Sequence, residues 1–549
     1  MGKRLEILFT SDTHGHVFPV NYAGKRPEAS GLLSLAAQEK KGPDSLMIDG
    51  GDSLQGTPLT QYYLAHREQY RVHPVAEAFN ALECDYFTLG NHDFNFGYDV
   101  IRDYLRAMNG QCLCANVEDL RGELEMKPWE IRVMESGLRV GITGIVTDYV
   151  NVWEQPAHLS ELRVTEPLSA AQKALAEMKD ACDLTICVYH GGFEEDLETG
   201  ALLSDTTENI ACRIARELDF DLLLTGHQHM AVPGVMLSGT YAVQPPSNAV
   251  QYVKLELGYD NDPDGEETLA VSSELVKVGD GLLQKIGETF SARDGVCGCG
   301  KAPSDGESGA GNGEKALLPA ALAAYQRLLF LEKDTQTWLD QVLGSFAEAI
   351  PAADKLSAAL YGSQVAALFN QVQLGAAEAD FSCTSLGNDP VGFAKNVMMR
   401  DVCSAYLFSN TLVMVEVDEA VLRESLERCA SYFDLEDGKP VISERFLKPK
   451  IEHYNYDFYA GLTYTFDLRK PVGERVVELK KLDGTPLGDK KYRLITSDYR
   501  ATGTGGYPAL GRSRVLWRGT DEMPLMIAEY IRTHSPVGKI ENTCFRVIW

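Results

Sequence analysis

The chain has 549 residues, more than one hydrophobic core usually serves, so two domains are expected. Its formal charge of -28, from 51 Lys+Arg against 79 Asp+Glu, argues against the basic surface that a nucleic-acid polymer requires. A composition of 44% hydrophobic and 24% charged residues is ordinary for globular proteins. A small anionic substrate would then need a local positive site, and bound metal ions are the densest source of one.

The N-terminal Met1-Gly2-Lys3-Arg4 runs directly into Leu5–Thr10, an apolar stretch too short to cross a membrane. With no apolar run of about eighteen residues elsewhere, the sequence predicts a cytoplasmic protein without membrane contact. Leu5–Thr10, Ser45–Ile48, Tyr86–Leu89, Val140–Ile145, Leu184–Tyr189 and Leu222–Thr225 read as strands buried on both faces. Amphipathic stretches such as Val75–Leu82 and Leu168–Met178 lie between them. That rhythm predicts an α/β sandwich whose chemistry sits on the loops after the strands.

Five motifs follow those strands: Ser11-Asp12-Thr13-His14-Gly15-His16, Gly50-Gly51-Asp52, Gly90-Asn91-His92-Asp93, Tyr189-His190-Gly191-Gly192 and Gly226-His227-Gln228-His229. Together they supply carboxylates, imidazoles and an amide oxygen, a donor mix suited to Mn²⁺, Zn²⁺, Fe or Co. One such motif is an everyday turn or cap, whereas five at successive strand ends indicate a metal centre. His16 is expected to be a solvated loop histidine.

The glycine-rich, polar stretch Ser291–Glu314 cannot bury apolar area and predicts a loop, with Cys297 and Cys299 as idle thiols among 12 scattered cysteines. Ala316–Leu331 reads as a helix. The expected division is a first domain over 1–280, a linker over 281–334 and a second domain over 335–549, the last mixing helices such as Glu419–Tyr432 with strands such as Thr411–Val417 and Tyr492–Thr496. Three of its segments place aromatics beside turn residues: Met399–Leu412, Tyr454–Tyr464 and Thr496–Tyr507. Facing rings there would form a slot for a flat base.

The five motifs resemble those of the calcineurin-like metallophosphatase superfamily. The resemblance implies two divalent metal ions, one held by Asp12, His14 and His229, the other by Asn91, His190 and His227, with Asp52 bridging them. It implies His92 as the histidine that contacts phosphate and assists the leaving oxygen, oriented by Asp93. Two ions about 3.5–4 Å apart can activate water and stabilise the entering and leaving oxygens of an in-line displacement.

The second half resembles the 5'-nucleotidase C-terminal domain, an α/β (α+β) nucleotide-binding unit, closest to the branch that hydrolyses 2',3'-cyclic nucleotides and 3'-nucleotides. It implies a nucleotide substrate whose base lies between Phe408 and Tyr499, Asn370 near the substrate, and open and closed arrangements of the domains. True 5'-nucleotidases of the family present an arginine in an Asn-Gly-Gly-x-Ile-Arg segment and carry Gly-Gly-Asp-Gly-Phe/Tyr near the end. Here these read Ser385–Phe393 without arginine and Gly503-Thr504-Gly505-Gly506-Tyr507 without aspartate. Asp401 and Asn410 read as loop braces. The alternatives are a 5'-nucleotidase or UDP-sugar hydrolase of the same family, and a metal-dependent nucleotide-binding protein without turnover. A nuclease of the same metal fold conflicts with the acidic charge. Metal identity and oligomeric state stay open.

Overall fold

The computed structural model describes residues 3–549 except 204–205, 262–266, 285–317, 409, 449 and 543–544, so the glycine-rich stretch with Cys297 and Cys299 lies outside the described residues. The chain forms two compact units, Met1–Thr335 and Gln336–Trp549.

In the first unit two sheets pack face to face. One has seven strands, in which Arg4–Thr10 pairs in parallel with Ser45–Asp49, which pairs in parallel with Tyr86–Phe87. The other has six, in which Arg139–Val146, Leu184–His190 and Leu222–Thr225 are mutually parallel. Alternate side chains meet between the sheets: Leu5, Ile7, Phe9 and Ile48 from one, Val140, Ile142, Ile186, Val188 and Leu224 from the other, all within one buried cluster. The opposite face of the six-stranded sheet, with Cys187, Tyr189 and Leu223, is covered by Leu168, Ala171, Leu175 and Met178 of the helix Pro167–Met178. Burial on both faces explains why these strands read as unbroken apolar runs. All six predicted strands form; Tyr86–Leu89 is cut to Tyr86–Phe87, because the chain must turn through Gly90 into the 3-10 helix Asn91–Phe94.

The predicted helix Ala316–Leu331 runs as Leu318–Leu339, since nothing from Glu332 to Leu339 breaks a helix. The hydroxyls of Tyr22 and Tyr70 donate to its Glu332 and Asp334 at 2.7 Å each.

The second unit is built on a five-stranded sheet in the order Asp457–Ala460, Phe381–Ser385, Tyr492–Ser497, Leu412–Val417, Val515–Arg518, with a three-stranded sheet beside it. The helices Gln364–Ala376, Glu419–Ala430 and Met523–Thr533 bury apolar faces in the same core. The α/β architecture expected of both halves is what forms. Among the described residues no helix is long and apolar enough to cross a membrane.

Candidate active site

Parallel strands end at a common edge, so side chains that follow them in sequence meet in space. Asp12 and His14 follow the strand Arg4–Thr10, Asp52 follows Ser45–Asp49, Asn91 follows Tyr86–Phe87, His190 ends Leu184–His190, and His227 and His229 follow Leu222–Thr225. Two donor groups result, Asp12/His14/His229 and Asp12/Asp52/His190, each with its ligand atoms within 4.8 Å of one another. Asp12 is common to both, whereas Asp52, expected to be the bridging residue, belongs to the second group alone. His14 Nε2 lies 3.0 Å from His229 Nε2, which is 3.3 Å from Asp12 Oδ1. His190 Nε2 lies 3.3 Å from Asp52 Oδ2 and 3.2 Å from Asn91 Oδ1, and His227 Nδ1 is 2.8 Å from the same amide oxygen.

The far nitrogens decide which atoms face the cluster. His14 Nδ1 donates to the Gln55 carbonyl at 2.9 Å and His190 Nδ1 to the Gly50 carbonyl at 2.7 Å. His227 Nε2 lies 3.0 Å from Glu208 Oε1. A carbonyl or carboxylate only accepts, so in each neutral ring the inward nitrogen keeps its lone pair, the arrangement typical of metal-ligating histidines.

Backbone strain falls on the same residues. Asp12, His14, Asp52, His227 and His229 all have φ between 47° and 71°, in the left-handed region that non-glycine residues rarely enter. Each such residue costs of order 1–3 kcal/mol, and this kind of strain clusters at functional sites. The flanking turns need glycine: a Cβ on Gly51 would meet Gly90 N at 2.3 Å, and one on Gly90 would meet Asp52 Oδ1 at 2.2 Å.

His92 is half-buried, its ring centroid 5.7 Å from that of His14. The structure differs here from the expectation that Asp93 orients the ring. Asp93 is fully buried and its carboxylate accepts the backbone N–H groups of Asp52, Ser53, Leu54 and Gly90 at 2.8–2.9 Å. It therefore holds the Asp52 turn, and the partner of His92 Nδ1 is Asn95 Oδ1 at 2.9 Å. His16 also differs: it is half-buried, and its Nδ1 donates to the Thr13 carbonyl at 3.1 Å.

In the second unit, Tyr454 touches both predicted slot residues, with ring centroids 6.2 Å from Phe408 and 6.5 Å from Tyr499. Phe408 is 40% exposed. Asn370 is 1% exposed, and both ends of its amide are used internally, Nδ2 donating to the Phe458 carbonyl and Oδ1 accepting from Ser382 Oγ. That geometry makes Asn370 a structural brace and corrects its expected place at the substrate. Asp401 accepts the Met398 N–H and Asn410 donates to Asp498, so both brace their loops as read.

Residues 5–231 match the family model for calcineurin-like phosphoesterases, and residues 345–512 match that for the 5'-nucleotidase C-terminal domain. The chain combines a calcineurin-like phosphoesterase domain with a 5'-nucleotidase C-terminal domain. A 2',3'-cyclic-nucleotide 2'-phosphodiesterase/3'-nucleotidase of Salmonella typhimurium is 24% identical over 97% of this chain and 86% of its own length. The trifunctional nucleotide phosphoesterase protein YfkN of Bacillus subtilis is 22% identical over 98% of this chain, which spans 38% of that protein. A crystal structure from Staphylococcus aureus assigned as a 5'-nucleotidase matches all of both chains with a TM-score of 0.83 and 27% identity.

This calcineurin-like phosphoesterase is thus a metal-dependent phosphoester hydrolase of the nucleotidase group, and its fold works with a pair of divalent metal ions. The electrostatics of the donor cluster fit such ions in part: against the effect of burial, the neighbouring Asp52 raises His190 to about 10, so a metal ion there would displace a proton. Burial alone would raise the carboxyl groups of Asp12 and Asp52, yet the surrounding imidazoles hold both below the usual carboxylate range. Burial and the neighbouring His229 push His14 down to about 3, so it is neutral, as a ligand must be.

Several supporting residues carried no sequence signal. Glu208, Asn95 and Glu154 are ordinary polar residues until the fold brings them to the histidines. Arg500 is another. It is 2% exposed, ion-paired with Asp457 at 2.7 Å, stacked 4.0 Å from the Tyr507 ring, and donates to the carbonyls of Tyr454 and Thr504. It ties the loop of Tyr454 to that of Tyr499. Removing one partner of such a buried pair costs about 3–5 kcal/mol. Asp457→Ala should therefore lower the stability of the second unit by that amount in a denaturant titration; an unchanged midpoint would show the pair to be idle.

Proposed function

We propose that this phosphoesterase hydrolyses 2',3'-cyclic nucleotides and 3'-nucleotides to nucleoside and phosphate. The observation that carries the isomer preference is the Ser385–Phe393 loop, which holds no arginine where 5'-nucleotidases of the family present one. The Salmonella relative, whose name is that activity, supports it along nearly the whole chain.

In this reading Asp12, His14 and His229 would hold one metal ion and Asn91, His190 and His227 the other, with Asp52 contributing its carboxylate to the pair. When bound, the ions supply an acidified water and neutralise charge on the phosphoryl oxygens. His92 then acts on the leaving oxygen. Water attacks phosphorus, the P–O bond to the 2'-oxygen breaks, and a proton delivered by His92 leaves a free 2'-hydroxyl and a 3'-monoester. The monoester re-enters, and the same step on the 3'-oxygen releases phosphate. Phe408 and Tyr499 stack on the base, with Tyr454 supporting both rings. Stacking is nearly indifferent to base identity, which predicts broad specificity over nucleosides.

A second reading, a 5'-nucleotidase, is favoured by the Staphylococcus aureus structure. Phosphate release from 2',3'-cyclic AMP, 3'-AMP, 5'-AMP and UDP-glucose, after reloading with Mn²⁺, Zn²⁺ or Co²⁺, separates the two. Preference for 5'-AMP would overturn the first. Each stacked base is worth about 1–3 kcal/mol, so Phe408→Ala or Tyr499→Ala should raise KM for the preferred nucleotide roughly fivefold to a hundredfold. An aryl phosphate should respond less. Unchanged nucleotide KM in both variants would refute the slot.

A further inference from the structure

We infer that Asn95, Glu154 and His158 form a positioning chain behind His92, fixing which of its nitrogens faces the reacting phosphoester. The inference rests on the reading of His92 as the group that serves the leaving oxygen. His92 Nδ1 lies 2.9 Å from Asn95 Oδ1, Asn95 Nδ2 donates to Glu154 Oε2 at 2.8 Å, and Glu154 Oε1 lies 2.8 Å from His158 Nδ1. Glu154 also accepts the Gln155 N–H at 2.7 Å, and its side chain is only 5% exposed.

The direction of this chain follows from chemistry. An ionised carboxylate accepts hydrogen bonds and cannot donate them, so the Asn95 group facing Glu154 must be the NH₂. The amide oxygen then faces His92, and it too can only accept. Nδ1 of His92 must therefore carry a hydrogen whether the ring is neutral or charged. In the neutral ring the lone pair is confined to Nε2, the nitrogen left for substrate; in the charged ring Nε2 carries the proton to be given. Glu154, 59 residues away from Asn95, thus sets the tautomer and rotation of the histidine through one neutral amide.

Glu154 directly follows the short helix Val150–Trp153, and Trp153 lies against His227, with ring centroids 5.4 Å apart and planes 26° apart. One element therefore touches a predicted metal ligand and, through Asn95, the predicted proton donor. Asp93, by contrast, is saturated by backbone N–H groups, which leaves Asn95 as the side chain that holds the ring.

The test compares Asn95→Ala, Glu154→Gln, Glu154→Ala and His92→Ala in the full-length, Mn²⁺-loaded enzyme, with thermal melting and bound-metal content measured for each. Substrates are the preferred nucleotide, whose leaving group is a poor alkoxide, and p-nitrophenyl phosphate, whose leaving group needs no proton. Loss of a hydrogen-bonded partner behind a functional histidine costs roughly tenfold to a hundredfold. Asn95→Ala should lower kcat for the nucleotide by that factor, with KM within about twofold and the aryl phosphate little changed. Glu154→Ala should act in the same direction, and Glu154→Gln, which keeps an acceptor for Asn95, should restore part of the loss. In His92→Ala, adding Asn95→Ala should cost nothing more. Additive losses in that double variant, or equal losses on both substrates, would overturn the chain. A His92→Ala enzyme that treats both substrates alike would overturn the role of His92 itself, and the chain with it.

Discussion

Asp52→Asn should lower kcat at least about a thousandfold, roughly 4 kcal/mol of transition-state stabilisation. The residue is 1% exposed, with one carboxylate oxygen 3.3 Å from His190 Nε2 and the other accepting the His92 N–H at 2.7 Å. Asparagine keeps the shape and removes the charge, and its NH₂ can place hydrogens where a cation belongs. It also tolerates the φ of 58° at this position better than alanine would, so the turn should survive. The measurement is kcat after metal reloading, together with metal ions per chain by elemental analysis. Wild-type turnover with two ions bound would end the case for Asp52 as the shared ligand.

His92→Ala should lower kcat for the preferred nucleotide by about 10²–10⁴, the usual worth of a positioned proton donor. The loss should shrink as the leaving group improves, because a stable leaving anion departs without protonation. A plot of log kcat against leaving-group pKa over a series of aryl phosphates and nucleotides should therefore steepen in the variant. Parallel lines for the two enzymes would assign His92 to ground-state phosphate contact instead.

Most of the scaffold was legible in the sequence. The central strands of both sheets are buried on two faces, so they appear as continuous apolar runs, and each donor motif stands directly after one. The boundaries that moved did so for local reasons: Gly90 shortens one strand, and the unbroken Glu332–Leu339 stretch lengthens one helix. The donor residues could be enumerated because their spacing from strand ends is a property of the chain itself.

The roles of Asp93 and Asn370 were less legible. Both are polar residues beside a functional motif, and adjacency in sequence suggested adjacency in action. In the folded chain Asp93 turns towards four backbone N–H groups and Asn370 is closed into the core between Ser382 and Phe458. Conversely, Glu154, Glu208 and Tyr454 gain their significance only from neighbours that are close in space.

The sequence alone determined the donor inventory, the strands that carry it and the net negative charge. The tertiary structure decided which nitrogen of each histidine faces the cluster, which residues bend into the left-handed region to bring the donors together, and what holds His92. Hydrogen-bond direction is the reason. A histidine has two possible faces until an acceptor is brought against one of them, and here those acceptors, Gln55 for His14, Gly50 for His190, Glu208 for His227 and Asn95 for His92, are supplied by folding.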